Sequence, residues 1–533
     1  MSAAGDPGHK SAAGPTKPGR LGLLLSMAMF VLVVDTSLMN VSISAVVHDL
    51  DTTVSGVQSA IALEALVSAA FILIGGKVGD LIGRKRAYVL GLLGYALGAI
   101  SMTLAQSLTA IIVFWAITGG LGASLLLPAM QSLIHGNFHG AVQTKVYALV
   151  GAAAAIAAAV GPLLGGFITT YLSWRVAFAL EAVVIAVVLS GIGLVRDAPY
   201  TGPRGVDVVG AVLSVVGMGG VVLGILIWQE GGEYVALTIA LGAACLALLA
   251  LWLRRRKAAG RPALLDPALF ASRPFRLGIS QQLLQQIALG GLMIVLPIYL
   301  QMVLEYSAME AGLSLAPLSL SMFAVALIAG RQASAHRPSS VVRLGFGCLA
   351  GAVAVLIAIV PDASSGWDLA PALLVAGSGL GLLVSQLNNY TLAPISDERV
   401  SEAAGVNSAG GSFGLSFGLA FVGAVMLATL SFTFTNKAEA SKVLPPAEQQ
   451  QIADALEEDA QVLSASQLEQ QLEGQPREIK AEVLRINEEA RPEALQVALL
   501  IPALAGLIGL INSFRMARLP DPLKTSAEPA VLG

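Results

Sequence analysis

The chain has 533 residues, 56% of them hydrophobic and 12% charged, with a mean hydropathy of +0.77. Soluble domains carry roughly 25% charged residues, so a water-soluble globule of this size is excluded, because too little polar surface exists to cover it. The net charge of -3 offers nothing to a nucleic-acid partner, and 57 glycines beside 6% aromatics suit closely packed membrane helices better than a barrel of alternating strands.

Residues 1–20 form a polar tail carrying Lys10, Lys17 and Arg20. The apolar run that follows, 21–47, exceeds the roughly 7–15 residues of a signal-peptide core, so an uncleaved first helix is expected. A bilayer core takes about 20 apolar residues per helix. That ruler marks spans near 21–47, 57–76, 87–106, 109–132, 145–171, 174–195, 207–228, 234–254, 276–300, 311–330, 341–360, 369–388, 403–431 and 495–513. The expected fold is therefore an all-α integral membrane protein of fourteen transmembrane helices.

Charge placement tests that number, because Lys and Arg concentrate in short cytoplasmic loops. With the N-terminus inside, 24 of the 31 Lys+Arg fall in the tails and even-numbered loops, and only Arg175 lies in a short outer loop. Asp49, Asp51, Glu230, Glu233, Glu305, Glu310, Asp362 and Asp368 mark the outer loops instead. Both termini are expected on the cytoplasmic side of the cell membrane.

The expected organisation is a cytoplasmic tail (1–20), a six-helix bundle (21–195), an inserted helix pair (207–254), a second six-helix bundle (276–431 with 495–513), and a C-terminal tail (514–533). A faint repeat of short, Gly-led basic loops, starting at Gly76 and again at Gly330, fits two repeated halves with a binding site between them. Residues 432–494 contain 13 acidic and 6 basic residues, with apolar residues at helical spacing (Ile452 and Leu456; Ile479, Val483 and Ile486) and breaks at Pro445-Pro446 and Gly474-Gln-Pro476. They read as amphipathic helices outside the membrane.

Three carboxyls stand inside apolar spans: Asp35, Glu64 and Glu181. Each costs roughly 2.5–3.5 kcal/mol at mid-bilayer unless protonated, paired or wetted. No Lys or Arg lies near the middle of a span, so a water-accessible cavity in which these groups take up protons is expected. Polar Thr36, Ser37, Asn40, Ser42 and Ser44 follow Asp35, and interfacial snorkelling is a rival role for Glu181.

A nucleotide-driven pump is disfavoured. Near Gly76-Lys77, Phe71 and Val78 occupy the places where a phosphate loop requires Gly and Ser/Thr. His135 and His139 lack further ligands nearby, so no metal site is expected, nor any cofactor. No nucleophile and base arrangement points to an enzyme.

The run Gly76-Lys-Val-Gly79-Asp80-Leu-Ile-Gly83-Arg84-Lys85-Arg86 resembles the loop motif between helices 2 and 3 of the major facilitator superfamily. Asp35-Thr-Ser-Leu-Met-Asn40 resembles the first-helix motif of its fourteen-helix drug:proton antiporters, and Ala157-Ala-Ala-Val-Gly161-Pro162-Leu-Leu-Gly165-Gly166 resembles the antiporter signature of helix 5. The resemblance implies two six-helix bundles plus an additional helix pair. It also implies a latch at Gly76 to Arg86 that stabilises an outward-open state, and a helix 5 bent at Pro162 that rocks against its neighbour. Within the latch, Asp80 is expected to cap a neighbouring helix. Four positions depart from the pattern: Ser44 stands where the first-helix motif has Pro, Ala157 where the helix 5 signature leads with Gly, Ala116 where the family has an Arg in helix 4, and Glu181 where it has Asn. Coupling is then expected to run through carboxyls alone, with Asp35, Asn40, Glu64 and Glu181 as proton or substrate residues.

The expected activity is proton-coupled export of hydrophobic or amphipathic, cationic small molecules by alternating access. The expected partners are a small-molecule substrate, protons and the bilayer, with the protein a monomer. Export of a lipid or secreted metabolite on the same fold, and a non-transporting scaffold or sensor, are the competing readings.

Overall fold

The computed structural model describes residues 18–519, except 139, 198–204, 206, 230, 333–335, 396–398, 446–448, 451, 453–455 and 457–464. His139 and both chain ends thus lie outside the described residues. The described part is helical, and fourteen helices are long and apolar enough to cross a membrane. They are α1 (Gly19–Val41), α2 (Val54–Ile82), α3 (Arg84–Leu104), α4 (Leu108–Asn137), α5 (Lys145–Tyr171), α6 (Trp174–Leu194), α7 (Val208–Gln229), α8 (Val235–Ala258), α9 (Arg273–Val303), α10 (Ala308–Arg331), α11 (Pro338–Ile359), α12 (Gly366–Leu392), α13 (Glu402–Ala440) and α14 (Arg477–Ala517). An even number returns the chain to the face where α1 starts, here termed basal; the face carrying the insert between α13 and α14 is termed distal.

Backbone hydrogen bonding drives this outcome. In hydrocarbon every N–H and C=O must be satisfied within its own segment, and the helix does that. Polar caps then close the ends. The Thr53 hydroxyl accepts from Gly56 N–H (3.1 Å) at the start of α2, and Ser307 with Glu310 forms a reciprocal capping box at the start of α10.

Helices α1 to α6 pack together, α1 on α5 and α6, α4 on α2 and α3, α3 on α6; α9 to α14 form a second group around α9, α12 and α14. The groups meet along two seams, α5 on α10 and α2 on α13. Helix α8 packs on α7, and α7 lies against both α2 and α13, so the added pair flanks one seam. There Gln229 of α7 donates to Gln58 of α2 at 2.7 Å. Small residues permit the tight crossings: a Cβ on Gly122 of α4 would strike the backbone of α3 at Gly91, Gly94 and Tyr95.

Two boundaries differ from the sequence expectation. Helix α13 continues to Ala440, and α14 starts at Arg477, well before residue 495. The apolar stripe carrying Val483, Ile486, Ala490 and Ala494, all buried, runs unbroken into the membrane segment, so the helix has no reason to stop at the bilayer edge. The insert also reaches the first half: the Gln467 amide and the His48 ring meet at 2.8 Å. On the same face Asp49 accepts from Trp174 Nε1 (3.1 Å) and pairs with Arg175.

Candidate functional site

Helix α1 carries two different surfaces. Leu32, Val33, Thr36, Ser37, Asn40 and Val41 line one side of a cavity of about 240 Å³ between the two groups. On a 100° wheel these six form a single stripe, and Asp35 falls on the far side of it. The cavity's other walls come from α5, α9, α10 and α13, including Pro162, Gln286, Met293 and Ser319. Its lining is uncharged. The Asn40 amide donates to the Thr36 carbonyl (2.8 Å), while its buried Oδ1 has no partner among the described residues.

Asp35, 1% exposed, points instead into the first group. Its carboxylate accepts from the Tyr95 hydroxyl of α3 and from Trp115 Nε1 of α4 at 3.0 and 3.1 Å. Phe178 packs edge-on to Trp115 at 6.3 Å and so holds the indole in place. Glu64 on α2 and Glu181 on α6, 8% and 4% exposed, both lie within electrostatic reach of Asp35, and Tyr95 is within reach of all three. One Glu181 oxygen is buried without a hydrogen bond among the described residues. The structure thus gathers Asp35, Glu64 and Glu181 but separates them from Asn40. The carboxyls are expected in a water-accessible cavity; this cavity lies on one side of α1 and Asp35 points to the other. Glu181 does not snorkel; it faces inward.

Tyr95 and Trp115 were not legible as site residues, being ordinary aromatics in apolar spans. Trp115 directly precedes Ala116, so a neutral donor reaches Asp35 from the helix turn where the family motif has a base.

At the basal face, Asp80 of α2 pairs with Arg84, the first residue of α3 (3.4 Å), and caps no helix among the described residues. The α3 N-terminus is capped by Asp197, which accepts from Lys85 N–H at 3.0 Å, while Lys85 Nζ donates to the Val195 carbonyl at 2.8 Å. The loop is therefore tied to the end of α6. Gly83 turns the chain at φ +100 with the Asp197 carboxylate against it, a conformation that only glycine adopts freely. Gly76 faces Pro128 of α4 and Gly79 faces Ala87 of α3; Arg86 is exposed.

On α5, Gly161 packs on Ser37 and Gly165 on Leu38 and Val41 of α1. Gly166 and the Pro162 carbonyl meet Ala308 and Gly312 of α10, and Met309 N–H donates to Thr170 at 2.9 Å. These close approaches are distal; towards the basal end, a Cβ on Gly151 of α5 or Gly330 of α10 would meet no atom of another helix within 4 Å among the described residues. Helix α5 thus bears on α1 and on the opposite half through adjacent glycines.

The chain is 25% identical over 436 residues to the probable actinorhodin transporter of Streptomyces coelicolor, covering 79% of this chain and 74% of that protein. It is 30% identical over 418 residues to the puromycin resistance protein pur8 of Streptomyces alboniger, covering 75% and 81%. Among solved structures, a bacterial homologue of the lysosomal transporter Spinster shares the fold, with a TM-score of 0.61, 12% identity, and 96% of this chain and 100% of that one aligned. The Major Facilitator Superfamily model matches residues 25–419, and the chain, a multi-pass membrane transporter rather than an enzyme, belongs to that superfamily.

Proposed function

We propose that the protein is a proton-coupled exporter of hydrophobic or amphipathic small molecules, seated in the cell membrane with both termini in the cytoplasm. The observation that supports this reading is the three-carboxyl cluster, buried without an ion pair to any Lys or Arg among the described residues. Three negative charges in such a place are relieved by proton uptake, because desolvation penalises the charged form and no fixed cation offsets it. The relatives support the export direction: they include a cephamycin export protein of Amycolatopsis lactamdurans and a tetracenomycin C resistance and export protein of Streptomyces glaucescens.

Helix α1 would be the coupling element. Protonating Asp35 removes a charge from the acceptor of Tyr95 and Trp115, weakening two charge-assisted hydrogen bonds. Any shift of α1 that follows moves Thr36, Ser37 and Asn40 at the cavity, and presses Ser37 and Leu38 against Gly161 and Gly165 of α5. Proton binding thereby biases the equilibrium between states to the extent that it differs between them. The uncharged cavity wall suits an apolar body with one or two hydrogen-bonding groups, and preference for a cation would come from the carboxyls one helix behind.

Proteoliposomes with an imposed pH gradient test the reading. Efflux of a lipophilic dye, accompanied by proton movement in the opposite direction, is expected. Dye movement indifferent to the gradient would remove proton coupling, and proton movement without cargo would remove export.

A further inference from the structure

At the basal face, Arg273 and Arg276 from the start of α9 and Arg515 and Arg518 from the end of α14 line one pocket of about 370 Å³, with Leu277 and Leu519. Among the described residues no acidic side chain lines it. Among the described residues none of the four arginines forms an ion pair; Arg515 alone has a side-chain partner, the Asn512 carbonyl oxygen at 3.2 Å. The first turn of α9, whose Ser272 cap accepts from Phe275 N–H, opens beside them and adds the positive end of a helix dipole. Four arginines lining one pocket with no counter-charge among the described residues make a receptor for phosphate oxygens, which arginine binds in bidentate fashion.

A second observation identifies the source of the phosphate. Leu500, Leu504, Leu507, Ile508, Ile511 and Phe514 of α14 are all large, apolar and exposed, a lipid-facing stripe that ends at Arg515. Arg343 of α11 stacks on the Phe514 ring at 4.9 Å, adding a fifth cation at the junction. An acyl chain lying on that stripe brings its headgroup to the arginines.

We infer that this pocket is a binding site for the headgroup of an anionic phospholipid of the basal leaflet. It holds α9 and α14 together through lipid, since the like charges would otherwise repel. Zwitterionic lipid lacks the net negative charge to balance four arginines, and a free phosphate lacks the chains for the stripe.

The test uses the full-length protein extracted from vesicles of phosphatidylcholine and phosphatidylglycerol, with retained lipid counted by native mass spectrometry. Preferential retention of phosphatidylglycerol is expected, unaffected by millimolar inorganic phosphate. Each arginine removed should lower the preference by about fivefold, matching ~1 kcal/mol per surface arginine. Arg515→Gln with Arg518→Gln should therefore abolish most of it, and Arg515→Lys with Arg518→Lys, which keeps the charge and spares the fold, should restore part. Equal loss from Arg254→Gln with Arg255→Gln on α8 would show general charge attraction and overturn the site. Displacement by inorganic phosphate would overturn the lipid assignment. Retention unchanged in the double Gln variant would overturn both.

Discussion

Asp35 and Asn40 lie five residues apart on one helix yet face opposite ways, the carboxylate towards Tyr95 and Trp115 and the amide towards the cavity. On the proposed function, proton and cargo would act on two faces of α1, so the two functions should separate on mutation. Asp35→Asn should abolish pH-driven efflux while binding of the dye persists. Asn40→Ala should weaken dye binding by about tenfold or less, the scale of a single neutral hydrogen bond, with proton coupling intact. Both are read in proteoliposomes, and loss of both functions in either variant would contradict the division.

The two aromatic donors make a sharper prediction. Tyr95→Phe and Trp115→Phe keep most of the ring bulk and remove one hydrogen bond each to a charged acceptor, worth about 1.5–3 kcal/mol. Pumping should fall by roughly ten- to a hundredfold if that interaction is used in turnover, with wild-type expression and monodispersity. Pumping rates within twofold of wild type would assign the donors a purely structural role.

The distal seam should be sensitive to a single methyl group. Gly166→Ala places a Cβ on the Ala308 backbone, and Gly312→Ala places one on the Pro162 carbonyl. Overpacking of this kind costs about 1–3 kcal/mol, here only in the state that closes the seam. Thiol labelling of a cysteine introduced at Thr170 should become faster in both variants, because the closed population falls.

At the basal turn, Gly83→Ala should lower thermal stability by about 1–2 kcal/mol, the cost of a left-handed backbone for a residue with a Cβ, increased by the Asp197 carboxylate beside it. Asp197→Ala should relax that crowding but uncap α3, at about 1 kcal/mol. The double variant should then cost less than the sum of the two, measured by thermal unfolding in detergent.

The linker between α8 and α9 carries a pH-dependent tie. Burial raises the Asp266 carboxyl, but hydrogen bonds from Lys257 and Ala268 N–H and the nearby Arg399 guanidinium outweigh it, so the group is held below its ordinary value. A lowered folded-state value means stabilisation that is complete above the unfolded carboxylate value, about 3.9, and lost as pH falls through the folded one. Proteolysis of the 259–272 linker should therefore accelerate only in acid, and Asp266→Asn should show the faster cleavage at neutral pH.

The positions of fourteen helices were legible because lipid makes one demand on every span, a run of apolar residues long enough to cross. The carboxyls were legible for the complementary reason: Asp35, Glu64 and Glu181 violate that demand at measurable cost, and violations stand out in a list of residues. Tyr95, Trp115 and Asp197 violate nothing. Their roles arise from approach across 60, 80 and 112 positions of chain, which no local pattern encodes.

The sequence alone thus determined that the chain lives in a membrane, how many times it crosses, and which charges needed an explanation. Only the tertiary structure decided that α1 separates those charges from the cavity, that Asp197 rather than Asp80 caps α3, and that arginines from α9 and α14 share one pocket. The physical reason is that hydropathy is a property of each segment in its solvent, whereas the facing of a side chain is fixed by helix rotation, and rotation is set by the glycine contacts between helices.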